Sequence, residues 1–220
     1  MSDKLRLRFR KTGRAVYISH LDLMVTMQRA FSRAGCALKY SEGYNPHPLL
    51  SIALPLSVGA ASDCELMDFR LRDEAAPPDL PEKLTAALPE GIEVLSVYEP
   101  KRKCAEIKWL RVEGRFEYDT LDAAETAAAL RDFFARESLV ITKKTKRGVG
   151  ETDIRPSIRE IALEAGEGCV FVHALISAQE PTLNPDLLAE ALRQLAPALA
   201  PDFAAFRRVE TYDRDMNIFR

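Results

Sequence analysis

The chain has 220 residues, is 47% hydrophobic and 29% charged, and carries a formal net charge of −2. That length holds one large domain or two small ones, and the balance of apolar and charged residues is that of an ordinary soluble globular protein. No apolar run approaches the roughly 20 residues of a membrane span, and no apolar signal segment follows Met1-Ser-Asp-Lys-Leu-Arg6, so no membrane is expected and the expected location is cytoplasmic.

The first elements follow from periodicity. Leu5, Leu7 and Phe9 alternate with Arg6, Arg8 and Arg10, which predicts a half-buried strand with a charged outer face. Gly13 turns the chain. Ser19 caps a helix, with Asp22 three residues on completing a capping box. Leu23, Met27, Ala30 and Ala34 form its apolar stripe, and Gly35 stops it. Residues 49–54 and 64–71 read as strands. Asp79 and Glu82 form a second capping box before a short helix to Leu88, and residues 92–98 alternate again as a strand. This is the βαββαβ order of a ferredoxin-like unit, assigned to residues 1–100.

The order then nearly repeats over residues 106–220. A long strand at 107–118 is followed by a helix at 120–136. Strands at 139–142 and 157–163 flank a basic, glycine-containing loop, and 169–176 is a strongly apolar strand. Asn184 and Pro185 open a helix to about Ala196, and 206–212 is the last strand. The expected class is therefore α+β, with two tandem ferredoxin-like halves and one extra strand in the second. The four cysteines, Cys36, Cys64, Cys104 and Cys169, are at least 28 positions apart and form no C-x-x-C pair, so they read as reduced, small core residues and not as metal ligands.

Charge is unevenly spread. Residues 1–47 carry nine Lys or Arg against three acids, whereas residues 60–99 carry three against ten. A basic face on a near-neutral protein suits a polyanion. The acids of residues 63–82 read as a solvated face. Four positions stand out as a candidate ligand recess. His20 lies in the first helical turn beside Tyr17, and Tyr44 and His47 lie in the stiff loop Tyr40-Ser-Glu-Gly-Tyr-Asn-Pro-His-Pro48. If the loop folds back over the helix start, the four converge. Tyr40 and Tyr44 suit stacking on unpaired bases, Asn45 and His47 suit base edges, and Arg29 adds a cation on the helix. The plainer alternative makes His20 and His47 a helix-start residue and a turn filler. Lys143-Lys-Thr-Lys-Arg-Gly-Val-Gly150 supplies Lys143, Lys144, Lys146 and Arg147 for phosphates, and lacks Walker A spacing. Asp153 and Arg155 are expected to form an ion pair at its base, with Arg155 at the rim of the RNA surface.

Tyr17-Ile-Ser-His-Leu-Asp22, the 40–48 motif, Leu54-Pro-Leu-Ser-Val-Gly59, Lys146-Arg-Gly148 and Asp153-Ile-Arg-Pro156 together resemble the bacterial radical-SAM-linked domain family of unknown function. The resemblance implies a chain fused to, or encoded beside, a radical SAM protein, with genes for a ribonuclease of the E/G type and for ribosomal proteins as neighbours. It brings no assigned activity and no catalytic residues. This chain lacks the C-x-x-x-C-x-x-C motif, so an Fe–S cluster and S-adenosylmethionine are expected only on the partner, with no cofactor or metal bound by this chain. The paired-half plan is also similar to that of the CRISPR RNA-processing endonucleases. The leading expectation is a non-catalytic RNA-binding adaptor that serves a radical SAM enzyme on tRNA or rRNA. Two alternatives remain: a metal-independent RNA endonuclease using His20 and His47, and a protein–protein module that binds no RNA. The sequence does not define the oligomeric state.

Overall fold

A computed structural model describes residues 4–72, 76–145 and 148–220. The chain divides into two compact units, one ending at Glu106 and including Arg220, the other Ile107–Phe219. Together they make a mixed α+β protein with four α-helices among the described residues.

The first unit runs β1 (Lys4–Lys11), α1 (His20–Arg33), β2 (Leu50–Ile52), β3 (Ala61–Arg70), α2 (Leu80–Ala87) and β4 (Ile92–Tyr98). Its strands pair antiparallel in the order β4-β1-β3-β2. One face of the sheet packs Leu7, Phe9, Met67 and Phe69 against Leu23, Met27 and Phe31 of α1 and Leu80 and Leu84 of α2. Phe31 and Phe69 meet with ring centroids 4.8 Å apart. Burying large apolar side chains of this kind is what holds the helices on the sheet, at about 1.5–3 kcal/mol each.

The other face departs from the sequence reading. Arg6 has no exposed surface, although the alternation of β1 put it on a charged outer face. The strand register supplies the reason: Arg6 stands opposite Asp68, and the two side chains pair. The acids of 63–82 are likewise not all solvated, since Glu65 and Asp68 are buried. Asp79 does not cap α2 through its side chain, but pairs with Lys83 at 3.0 Å.

The second unit runs β5 (Trp109–Glu117), α3 (Ala123–Phe134), β6 (Val140–Thr145), β7 (Gly148–Asp153), β8 (Ile158–Ala165), β9 (Cys169–Ser177), α4 (Asp186–Leu195) and β10 (Phe203–Tyr212). Four strands pair antiparallel in the order β10-β5-β9-β8, while β6 and β7 form a separate hairpin. The sequence reading expected five strands here, one more than a ferredoxin-like unit, and the unit holds six, the additional one being β7 of this hairpin. Its second strand falls in and just beyond the stretch read as a basic loop. β7 is exposed over Gly148–Thr152, so it has no buried face to impose a period of two. Asp122 caps α3 by accepting from Ala124 and Glu125 N–H, so the helix begins at Ala123, three residues later than the sequence suggested.

Candidate functional site

Residues 13–20 are fixed from below. Lys11 is buried, and its Nζ donates to the carbonyls of Val16 at 3.0 Å and Ile18 at 2.8 Å. Burial lowers the pKa of that ammonium, partly offset by attraction to Glu65. Gly59 N–H donates to the Val16 carbonyl as well. Ser19 Oγ accepts from Asp22 N–H and donates to the Asp22 carboxylate, the capping box expected from the sequence. This scaffold presents Tyr17, 73% exposed, and sets half-buried His20 as the first residue of α1.

The 40–48 loop is also held at its base. Tyr40 and Pro48 form an antiparallel bridge, and Ser41 N–H donates to the His47 carbonyl. His47 N–H donates to Ser41 Oγ at 3.0 Å, and that hydroxyl meets His47 Nδ1 at 2.9 Å. Gly43 takes φ +118° at the tip, a conformation open to glycine. Tyr44 is fully exposed, Tyr40 is half-exposed and Asn45 is exposed, so these side chains are presented outward.

The four-residue recess expected from the sequence does not form. Lys39 N–H donates to the Arg70 carbonyl, and Arg70 stands opposite Lys4, so the 40–48 loop belongs to the Lys4 end of β1. Tyr17 and His20 belong to the Lys11 end. At ~3.3 Å per residue the two ends are about 20 Å apart. The reason is topological: α1, 14 residues long, carries the chain from one end of the sheet to the other before the loop begins.

What the loop does meet is a recess of about 360 Å³, lined by His47, Leu49, Leu50, Ser51, Lys4, Asp68 and Arg70 among others. Under it lies a charge network. Arg6 Nε donates to Asp68 Oδ1 at 2.6 Å and Nη2 to Oδ2 at 3.1 Å, while Lys4 Nζ meets Oδ2 at 2.6 Å. Arg6 Nη2 also donates to the Arg102 carbonyl and contacts Cys104 Sγ at 3.0 Å. Burial alone would raise the Asp68 carboxyl, but the hydrogen bonds from Arg6 and Lys4 outweigh it and hold the group below its usual value. Burial and the neighbouring Asp68 carboxylate push the Cys104 thiol up to about 11. Lys4, Asp68 and Arg70 escaped sequence reasoning because only the β1–β3 register, across more than 60 residues, brings them together.

The remaining candidates scatter. Arg29 is exposed on α1. Lys143 and Lys144 lie on β6, opposite Gly150 and Val149, while Lys146 and Arg147 fall outside the described residues. The expected ion pair of Asp153 with Arg155 is replaced by other bonds. Asp153 Oδ1 accepts from the backbone N–H of Leu139 and Arg155, which holds its carboxyl below the usual range. The Arg155 guanidinium instead donates to the carbonyls of Arg136 and Ile158, closing the end of α3 onto the start of β8. No group of residues among those described has the makings of a metal site, and no described helix is long and apolar enough to cross a membrane.

Two strand-and-helix units, one with a pinned aromatic loop and a charged recess, make up a mixed α+β protein. The chain belongs to DUF2344, a family of uncharacterized proteins conserved in bacteria, whose model matches residues 4–185. No curated protein matches it. Among solved structures, a chain of a Cbf5–Nop10–Gar1 complex is similar over 94% of this chain with 9% identity and a TM-score of 0.50. This chain spans only 48% of that one, and at such identity the likeness concerns the fold alone. An unknown protein from Galdieria sulphuraria aligns over 94% of this chain and 98% of its own, with 11% identity and a TM-score of 0.26, too low to carry an argument.

Proposed function

We propose that this chain is a non-catalytic RNA-binding protein that grips unpaired nucleotides with its 40–48 loop. The observation that carries this reading is the Tyr44 ring, fully exposed at the tip of a loop whose base is tied by Ser41 and His47. An aromatic ring held in water loses solvation cost when a base stacks on it, and stacking contributes about 1–3 kcal/mol per base. Holding the loop in place before binding lowers the entropy lost on association. The basic run of the sequence with Lys143, Lys144, Lys146 and Arg147 adds phosphate contacts.

Within this reading the two units are tandem ferredoxin-like halves, the second bearing the hairpin between its first helix and second sheet strand. Their strand orders, β4-β1-β3-β2 and β10-β5-β9-β8, support that reading. The chain works in the cytoplasm beside a radical SAM protein that supplies the Fe–S cluster and S-adenosylmethionine, with tRNA or rRNA as the shared substrate. That partnership rests on the motif resemblance. Cleavage by a His20–His47 pair has no support in the register, because acid and base must reach one phosphate together.

The test is fluorescence anisotropy with a labelled single-stranded RNA at low salt. Wild-type binding is expected, weakened about 5–150-fold in Tyr44→Ala, the range set by ~1–3 kcal/mol of stacking. Absence of wild-type binding, or an unchanged affinity in Tyr44→Ala, refutes the reading.

A further inference from the structure

We propose that the outward face of α1 is a docking surface for an acidic amphipathic helix of another protein. The proposal does not rest on the RNA-binding reading, whose aromatic loop belongs to the other end of β1.

The face is apolar where a surface helix is ordinarily polar. Leu23, Met27, Ala30 and Phe31 turn α1 toward the core, so the opposite side belongs to water. That side carries Leu21, 76% exposed, and Val25, 42% exposed, one turn apart. Tyr17 comes just before them. Val58, 59% exposed, stands in the loop that Gly59 N–H ties to the Val16 carbonyl. None of the four belongs to the core cluster, so packing of this unit does not account for them. The support beneath is fixed, because buried Lys11 holds the carbonyls of Val16 and Ile18 on either side of Tyr17. A surface held in place before binding loses little entropy on association.

Charge indicates what covers it. Residues three apart in a 3₁₀ helix eclipse, which puts Arg14 on the Tyr17 side of the short 3₁₀ helix Gly13–Tyr17. Residues four apart are neighbours on an α-helix, so Arg29 continues the row of Leu21 and Val25. The apolar row is thus closed by a cation at each end. Both arginines are exposed, and neither guanidinium has a hydrogen-bond or ion-pair partner among the described residues. The one acid of α1, Asp22, already accepts from the Ser19 hydroxyl. Leu21 to Arg29 spans ~12 Å of helix, at ~1.5 Å per residue. A partner helix with apolar side chains at i, i+3 and i+4 and carboxylates beyond both ends complements this pattern, the spacing by which amphipathic helices are held.

The other occupants fit less well. Leu21 and Val25 offer no ring on which a base could stack, unlike Tyr44. A second copy of this chain would need about 20–30 residues a side for a stable interface, and this row supplies only a few.

The experiment titrates the full isotope-labelled chain with two stapled helical peptides of about 15 residues, ~four turns. One carries Leu at i, i+3, i+4 and i+7 with Glu elsewhere; its twin carries Lys in place of Glu. The Glu peptide is expected to shift the backbone amides of Tyr17, Leu21, Val25 and Arg29, and the Lys peptide is not. Leu21→Ser combined with Val25→Ser is expected to weaken the Glu peptide at least tenfold, with RNA binding unchanged. If that double variant fails to fold, Arg29→Glu alone tests the surface, since it weakens the Glu peptide and favours the Lys twin. No amide shift at about 1 mM Glu peptide overturns the surface. Equal shifts with both peptides, or unchanged affinity in the variant that folds, overturn it as well. Two further outcomes reassign the face and also overturn the proposal: single-stranded RNA shifting these same amides, or a dimer in sedimentation that the double variant disperses. Loss of RNA binding in Tyr44→Ala with the Glu peptide still bound supports both readings. RNA binding without peptide binding removes only this one.

Discussion

Replacing Asp68 by Asn tests the charge network most directly. The substitution keeps the shape of the side chain and removes its charge, leaving the buried Arg6 guanidinium without the carboxylate that takes two of its hydrogen bonds. Breaking a buried ion pair from one side costs about 3–5 kcal/mol. Lys4 is 37% exposed and water relieves its share, which places the expected loss near the lower figure, ~3 kcal/mol. With a urea m-value of ~2 kcal/mol/M for the first unit, the midpoint falls by about 1.5 M, read by far-UV circular dichroism. The pH dependence gives a second check. Asp68 is held below its unfolded value near 4, so its stabilisation is complete above that value and is lost as pH falls through the folded one. The gap between wild type and Asp68→Asn must therefore narrow below about pH 4. A midpoint shift under about 0.5 M, or a gap that stays constant from neutral to acidic pH, refutes the reasoning.

Other consequences are as concrete. Cys104 is only partly buried yet its thiol sits at about 11, so at pH 8 iodoacetamide should label it slowly, and mass spectrometry showing it as the first cysteine modified would contradict the network. Gly91 takes φ +90°, and a Cβ there would lie 2.3 Å from the Thr12 carbonyl oxygen, so Gly91→Ala should lower Tm by several degrees through loss of more than ~1 kcal/mol. Ser41→Ala removes the hydroxyl that ties the loop, costing about 0.5–1.5 kcal/mol per bond locally; faster proteolysis within residues 40–48 at unchanged global stability is expected. Changing Lys143, Lys144, Lys146 and Arg147 together to Ala should lower the salt slope of RNA binding by up to about 3, at ~0.7 per phosphate on a single strand.

How far the sequence could be read depended on whether an element's signal is local. Ser19 and Asp22 are three residues apart, so their capping box was legible, as were β4 and the apolar run of β9. β7 was not, because its glycines and exposed residues carry no periodic apolar face. The same logic governs the site. The motif at 40–48 announced a special loop through its own prolines, glycine and aromatics, and Tyr44 and Asn45 are exposed there. The meeting of that loop with Tyr17 and His20 depends on tertiary placement, and the length of α1 decides against it. Lys4, Asp68 and Arg70 had no local signature, since arginine and lysine at alternate positions of β1 read equally as solvated surface.

The buried pair also bears on how the recess keeps its shape. A strand slipped by one residue turns every side chain to the opposite face, so register must be fixed wherever one face is specialised. In β1 and β3 the apolar pairs Leu5–Phe69 and Leu7–Met67 fix it on the helix side. Arg6 opposite Asp68 fixes it on the other, directly beside the Lys4–Arg70 pair that lines the recess. Stability and placement can therefore be separated. A double variant, Arg6→Met with Asp68→Leu, should regain most of the ~3 kcal/mol lost in Asp68→Asn, because a packed apolar pair replaces a buried ionic one at little net cost. It removes one positive and one negative charge together, so the net charge at the recess is unchanged, but Lys4 loses the carboxylate that holds its ammonium in place. Recovered urea stability, with a midpoint within about 0.5 M of wild type, is the expected result. A midpoint as low as that of Asp68→Asn would refute the replacement of the ionic pair by an apolar one.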